Sequence, residues 1–391
     1  MAQDSGSNTT RTEEILVQFF EGCAEAGEEL LYMSGAASNF KMVDCSILIM
    51  ILKVKLFHDD VRIVELSCGI VANMILNSED LDSVLNHLEV VPTMIDICLT
   101  KDDPVILSEA LRVITNLVYR GKSSIVLSRF DDLKEFVLFV VANSLSPRLL
   151  SQICQFVYYI LIYSTKAEVL HWLNDTTILA YYGSLLESKS EPVENSEANA
   201  DILKLLKSEL LGEYTGLEWM LLSLDKITGE FADITSVQSL LRSRFLIEAC
   251  LSLLLQQSHS ELSWDSDRPR SVSHKRLTNY SIGEIYLLPS EKSLLLCIVE
   301  SIVSKHVQGV VLESPRNLAP ISLPSPKMYI THHIPKDIGA NEYGFSVFLR
   351  TVLDTCEEAV LMRDLYAVSA AFYLICVLGT PDLISNATSS G

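Results

Sequence analysis

Two asparagines and one arginine have the residue types and spacing needed to bind a polypeptide backbone. Asn73 and Asn116 lie 43 residues apart at equivalent places in two segments that repeat each other without a gap, and Arg112 lies one turn before Asn116. An amide side chain both donates and accepts hydrogen bonds, so asparagines on one helical face can form a ladder along an extended peptide. The same amides could instead cap or bridge neighbouring helices, and the sequence leaves both interpretations open.

A serine pair in a basic stretch has the pattern of a kinase substrate. Arg268 and Arg270 stand five and three residues before Ser273, and Ser271 lies between. A phosphate on Ser271 or Ser273 would shift this basic stretch toward neutral charge. The alternative interpretation is an ordinary polar loop.

No motif in the chain assigns catalytic or metal-binding chemistry. The adjacent His332 and His333 point in different directions and have no cysteine or acid at metal-ligand spacing, so we expect a solvated loop there. The sequence has no HExxH, GxSxG, GxxxxGK[ST] or GxGxxG pattern. We therefore predict a protein that is not an enzyme, with no catalytic residues, no metal site and no cofactor.

The candidate ladder residues are placed by a 43-residue repeat. Asp60 and Asp103 precede equivalent helical stretches, and Ser146 precedes a third at the same step. Aspartate and proline at such positions are typical helix starts. A helical period of roughly 40–47 residues is typical of HEAT and armadillo repeats, whose apolar faces stack on one another. The sequence predicts an all-α fold, an armadillo/HEAT-like right-handed α-solenoid with long irregular loop insertions.

The predicted repeat domain spans residues 12–380, with clear repeats at about 42–170. We expect a disordered N-terminal tail at 1–11 and a polar C-terminal tail at 381–391. Polar or proline-rich composition predicts loops at about 187–200, 258–283 and 309–344, which in a solenoid lie on one face, often the binding face.

In armadillo proteins that bind extended peptides, asparagines at a comparable place form the ladder described above. This chain departs from that pattern in two ways. The third repeat carries Tyr159 where the first two carry asparagine, and the tryptophan that accompanies the asparagine in nuclear-import receptors is absent.

Composition favours a protein partner over a nucleic acid. The formal net charge is −20, which repels phosphate backbones, so we expect no direct nucleic-acid binding and consider basic protein segments as partners. Nine widely spaced cysteines without a CxxC pattern indicate a reducing compartment, the nucleus and/or the cytoplasm. The apolar runs are too short to predict a membrane span. The oligomeric state is not predicted.

Residues 12–120 resemble the serum amyloid A-like protein family. The resemblance rests on the stretch Gly69 to Met74 (GIVANM) and on Asp103-Pro104 leading into a helix with Ser108 to Arg112 (SEALR). It implies an armadillo-type fold and a nuclear, non-enzymatic protein associated with cell proliferation, and it supplies no catalytic residues. We expect a protein-interaction scaffold. The alternatives are a transport-receptor-like binder of basic extended peptides and a regulatory subunit of an enzyme complex.

Overall fold

The described elements of the chain are almost entirely helical. The computed structural model describes residues 5–36, 45–78, 81–143, 146–174, 204–242, 244–262, 287–307, 325–334 and 342–378. The chain divides into two compact units, Met1–Trp172 and Leu173–Gly391. Within the described ranges the only strands form one short two-stranded ribbon, which confirms the predicted all-α class.

Eleven described helices belong to the first unit, the last of them ending just past its boundary. In chain order they are α1 (Ser5–Glu21), α2 (Ala24–Ser34), α3 (Cys45–Lys55), α4 (Val61–Asn77), α5 (Leu81–Leu88), α6 (Val90–Thr100), α7 (Pro104–Tyr119), α8 (Ser123–Leu127), α9 (Phe130–Asn143), α10 (Pro147–Tyr163) and α11 (Lys166–Asn174).

The 43-residue step reappears as three capped helix starts. The Asp60 side chain accepts a hydrogen bond from the backbone N–H of Arg62 at the start of α4. Asp103 accepts from two backbone N–H groups at the start of α7, and Ser146 accepts from one at the start of α10. These side chains accept hydrogen bonds from N–H groups that the first helical turn leaves unpaired. The start of the helix in each repeat is therefore set by the residue that caps it.

Helices α2, α4, α7 and α10 pack against one another in that order. Helix α7 lies inside this row, and most of its apolar side chains are buried; Leu111, Ile114 and Leu117 are fully buried. The row therefore presents residues of equivalent repeats side by side on neighbouring helices.

The N-terminal helix begins earlier than the sequence predicted. We expected a disordered tail at 1–11, but α1 starts at Ser5 and includes residues 5–11. The reason is contact with the next helix, because Arg11 pairs with Glu29 on α2 at 2.6 Å and the Thr12 side chain is buried.

The described part of the second unit begins with helical residues at 204–208, and the elements that follow are a short β-ribbon and a series of helices. In chain order they are β1 (Leu210–Leu211), β2 (Tyr214–Thr215), α12 (Gly216–Glu230), α13 (Thr235–Arg242), α14 (Arg244–Leu262), α15 (Pro289–Val307), α16 (Pro326–His333), α17 (Glu342–Met362) and α18 (Leu365–Leu378). Helices α12 and α15 pack together, and α18 packs on α15, α16 and α17.

Two predicted loops contain helix. Helix α14 continues to Leu262, five residues into the predicted loop 258–283. Helix α16 and the first residues of α17 lie within the predicted loop 309–344. Helix α16 is stabilised by the cap that Ser325 provides and by the burial of Ile330. The predicted loop 187–200 and the tail 381–391 lie outside the described residues, as do Ser271 and Ser273.

The expected solvated histidine pair is a helical pair of which only His332 is exposed. His332 and His333 lie in the last turn of α16, and His333 is buried. The His333 ring nitrogen Nδ1 lies 2.8 Å from the carbonyl oxygen of Tyr329, whose ring also contacts it. The apolar packing of this helix overrode the loop prediction.

Candidate protein-binding face

Asn73 joins three helices of the first unit. Its amide nitrogen donates to the carbonyl oxygen of Leu31 and to the hydroxyl of Ser34 on α2, both at 3.1 Å. Its amide oxygen accepts from Arg112 on α7 at 3.2 Å. Both ends of the amide are therefore engaged within the chain, so a bound peptide would compete with these contacts.

Arg112 reaches across the space left by a glycine. Its guanidinium donates to the carbonyl oxygen of Gly69 on α4 at 3.3 Å. A Cβ atom at position 69 would lie 3.4 Å from the guanidinium and 2.9 Å from the Leu31 side chain. The absence of a side chain at Gly69 thus permits the close approach of Leu31 and Arg112.

A buried carboxylate, Glu109, holds two arginines. It accepts from Arg112 Nε at 2.7 Å on the same helix and from Arg148 on α10 at 2.5 Å. The Glu109 side chain is 7% exposed, whereas that of Arg148 is 48% exposed. The group fixes α7 against α10 and carries one net positive charge at its outer edge.

Asn116 and Arg120 join α7 to α4, as Asn73 joins α4 to α2 one repeat earlier. The buried Asn116 amide donates to the carbonyl oxygen of Ala72 at 3.0 Å. The Arg120 guanidinium donates to the carbonyl oxygens of Ile75 and Leu76 near the C-terminal end of α4. A cation at this end satisfies unpaired carbonyls and complements the helix dipole.

The structure thus brings all three predicted ladder residues together on one row of helices. Asn73, Arg112 and Asn116 each bridge neighbouring helices, which is the alternative that the sequence left open. Peptide binding by these residues stays a prediction.

The tyrosine face consists of Tyr119 on α7 and of Tyr159 and Tyr163 on α10, the last helix of the row. The three ring centroids are 5.1 to 5.8 Å apart, and Tyr163 meets both other rings edge-on. Tyr119 is 47% exposed and Tyr163 41% exposed. Tyr159 stands at the repeat position of Asn116, and Tyr163 at that of Arg120. The row therefore changes from bridging polar side chains to exposed aromatic rings.

The chemistry of the tyrosine face suits recognition rather than reaction. Burial, together with the neighbouring rings of Tyr163 and Tyr119, raises the pKa of Tyr159, so its hydroxyl stays protonated at neutral pH. Tyrosine combines a large apolar ring with a polar tip and is enriched at protein interfaces.

Sequence reasoning missed two parts of this region. Glu109 was not singled out, although an acid within an apolar helical stretch and three residues before Arg112 was a readable signal. Tyr159 was noted only as a break in the asparagine pattern, because its contact with Tyr119 depends on how α7 and α10 pack.

Several cysteines in the described part of the chain are buried in helices. Burial raises the pKa of Cys68, Cys98 and Cys250, which keeps these thiols protonated. Among the described residues no group of three or more histidine, cysteine or acidic side chains is placed to hold a metal ion. None of the described helices combines the length and hydropathy that crossing a bilayer requires.

Comparison with known proteins does not identify the chain. Its sequence matches no protein-family model and no curated protein. Similar solved structures include two crystal structures described as engineered proteins of the Northeast Structural Genomics Consortium. One is 15% identical with a TM-score of 0.47 over 75% of this chain and 98% of its own. The other is 12% identical with a TM-score of 0.41 over 96% of each chain.

Proposed function

We propose that this chain is a non-enzymatic protein-interaction scaffold built as an armadillo/HEAT-like right-handed α-solenoid. The 43-residue step of its capped helices supports this architecture. The resemblance of residues 12–120 to the serum amyloid A-like proteins extends the proposal to a role in regulating cell proliferation, in the nucleus and/or the cytoplasm.

The observation that carries the proposal is the tyrosine face. Three tyrosines in mutual contact, two of them more than 40% exposed, place a large amphipathic surface in solvent. Aromatic residues supply much of the binding energy in protein interfaces because they bury large areas at a small entropic cost. A structural role alone would not require the rings of Tyr119 and Tyr163 to remain open to water.

Hydrogen bonds between neighbouring helices hold in place the helices that carry the tyrosine face. Asn116 and Glu109 fix α7 against α4 and α10, respectively. Preorganised surfaces lose less conformational entropy on binding, so a rigid row of helices favours affinity at the adjacent rings. In this proposal Asn73, Arg112 and Asn116 position the binding helices, and the tyrosines make the contact.

Affinity capture with matched tyrosine variants tests the proposal. The wild-type chain, the double variant Tyr119→Ala/Tyr163→Ala, and the control Tyr32→Ala are compared after circular dichroism has shown equal helicity. Tyr32 is 78% exposed on α2 and lies outside the tyrosine face. We expect partners retained by the control to be lost from the double variant. Equal capture by all three proteins would remove the tyrosine face from the proposal.

A second candidate function is the binding of basic extended segments. Aromatic faces attract arginine and lysine through cation–π interactions, and a net charge of −20 attracts basic chains at long range. Fluorescence anisotropy with an arginine-rich peptide, and with the same peptide carrying citrulline, tests this function. We expect binding of the arginine peptide alone, weakened by salt and by Tyr119→Ala/Tyr163→Ala. Equal affinity for both peptides would exclude it.

A further inference from the structure

The rings of the tyrosine face meet at nearly a right angle. Tyr159 and Tyr163 lie four residues apart on α10, so they share one side of that helix. The plane of the Tyr163 ring makes an angle of 81° with the Tyr119 ring and 82° with the Tyr159 ring, whereas the last two are tilted by only 33°. The three rings therefore form a corner, which we call the aromatic corner. Tyr119 and Tyr163 are exposed, so ring surface at this corner is open to water.

The aromatic corner has the chemistry of a site for an organic cation. The face of an aromatic ring carries the negative part of its quadrupole and attracts positive charge. Two ring planes at a right angle can contact two sides of one rounded cation, which is how aromatic cages hold quaternary ammonium groups. The neighbours that act on the hydroxyl of Tyr159 are the tyrosines Tyr163, Tyr119 and Tyr158, so this ring lies in aromatic surroundings.

One repeat earlier, the chain supplies a cation of its own at the equivalent place. Arg120 donates to the carbonyl oxygens of Ile75 and Leu76 near the C-terminal end of α4. In the next repeat Tyr163 takes the position of Arg120, and its ring contacts Tyr119, the last residue of α7. The negative end of a helix dipole favours a cation. At the end of α7, position 163 presents a ring instead, which leaves the cation to be supplied by a ligand.

The two cations that follow Tyr119 in the sequence are held by other groups. The Arg120 guanidinium is directed to α4, as described above, and the Lys122 ammonium lies 2.7 Å from the carboxylate of Asp82 on α5. Both side chains therefore reach back to the preceding repeat. The net charge of −20 favours the approach of a positively charged ligand from solvent.

A quaternary ammonium suits the aromatic corner better than lysine or arginine does. The lysine ammonium is compact and strongly hydrated, and its three N–H donors need acceptors; arginine carries five donors. Methylation of lysine keeps the positive charge. A trimethylated ammonium has no N–H donor left to satisfy, so its methyl groups can pack on the rings while the charge faces their negative surfaces.

We propose that the aromatic corner formed by Tyr119, Tyr159 and Tyr163 binds a trimethylated lysine side chain of a partner polypeptide. This inference rests on the proposed function, because it names the group that the tyrosine face recognises.

A proton NMR titration of the full chain tests the site. The probe is Nα-acetyl-Nε-trimethyl-lysine amide. Two matched probes are the same molecule with unmethylated lysine and a neutral analogue in which carbon replaces the charged nitrogen. We expect saturable binding of the trimethylated probe, about tenfold tighter than that of either matched probe, because only this probe combines charge with methyl contacts. Ring currents should shift its methyl signal upfield. Equal affinity for the neutral analogue or for lysine, or no saturable binding, would overturn the inference.

Two substitutions at one position separate the ring from its bulk. Tyr163→Phe keeps an aromatic face and should change the affinity by less than about threefold, whereas Tyr163→Leu keeps an apolar side chain and should weaken binding by more than about fivefold. Tyr32→Leu, at an exposed position of α2, is the control and should have no effect. Circular dichroism confirms equal helicity, and the same pair of substitutions at Tyr119 provides an independent check. Equal affinities of the phenylalanine and leucine variants would contradict the inference.

Covalent capture of partners at position 163 separates this inference from the proposed function. Adducts at that position in a chain that does not bind the trimethylated probe would overturn the inference and leave the scaffold standing. Binding of the probe together with adducts at that position would support both.

Discussion

Replacing Glu109 by glutamine tests whether one buried carboxylate holds three helices of the first unit in register. The substitution keeps the shape of the side chain and removes its charge. Glu109 is 7% exposed and accepts hydrogen bonds from Arg112 and Arg148, and Arg112 in turn contacts Gly69 on α4. The carboxylate therefore acts on α4, α7 and α10 together.

The expected loss follows from the two charge-assisted hydrogen bonds. Such bonds contribute about 1.5–3 kcal/mol each, against about 1 kcal/mol for neutral ones. The Arg148 side chain is 48% exposed and regains water when its partner becomes neutral, which reduces its share of the loss. We therefore expect Glu109→Gln to lower the free energy of unfolding by about 1–2 kcal/mol.

Urea unfolding, followed by far-UV circular dichroism, measures this change. The matched control is Glu28→Gln, which neutralises an exposed partner of Arg62 and should cost less than about 1 kcal/mol. The chain has two compact units, so two transitions are fitted where two are seen. A loss for Glu109→Gln no larger than that of the control would refute the assigned role of the carboxylate.

Three further substitutions have defined outcomes. Leu111→Ala, at a fully buried position of α7, should lower the free energy of unfolding by about 2–5 kcal/mol in urea, and a change near zero would contradict the packing. Asp103→Ala removes the cap of α7 and should lower the thermal midpoint, with a loss of about 0.5–2 kcal/mol; Asp102→Ala, at the preceding position, is the control. Burial raises the pKa of Asp225 to about 6, against the opposing effect of Lys226. The folded state therefore holds this proton more tightly than the unfolded chain, so the stabilisation is complete below about pH 4 and lost as the pH rises through 6. Asp225→Asn should then stabilise the protein at pH 7 by about 1–3 kcal/mol and flatten the dependence of its unfolding midpoint on pH between 4 and 7. Equal pH profiles for wild type and variant would contradict this assignment.

The helix starts of the repeats were readable because capping is local chemistry. Asp103 lies within three residues of the N–H groups that it accepts from, so its role follows from the adjacent sequence. The helix at 326–333 was missed for the opposite reason. Helix α16 is stabilised in part by the burial of Ile330 and His333. That burial depends on packing between elements that are distant in sequence.

The candidate face was predicted only in part. The row that contains Asn73 and Asn116 follows from the 43-residue step. Their partners do not, because Leu31 and Ala72 are 42 and 44 residues away and reach the amides only through helix packing. The tyrosine face depends on the same packing, since Tyr119 and Tyr163 come from different repeats.

A site-specific photocrosslink tests the central claim most directly, because it reports what touches the tyrosine face in the cell. Benzoylphenylalanine replaces Tyr163 in one variant and the exposed Tyr32 in the control. The scaffold account predicts light-dependent covalent adducts with other polypeptides at position 163, and few at position 32. Absence of adducts at 163, or equal adducts at both positions, would contradict the account.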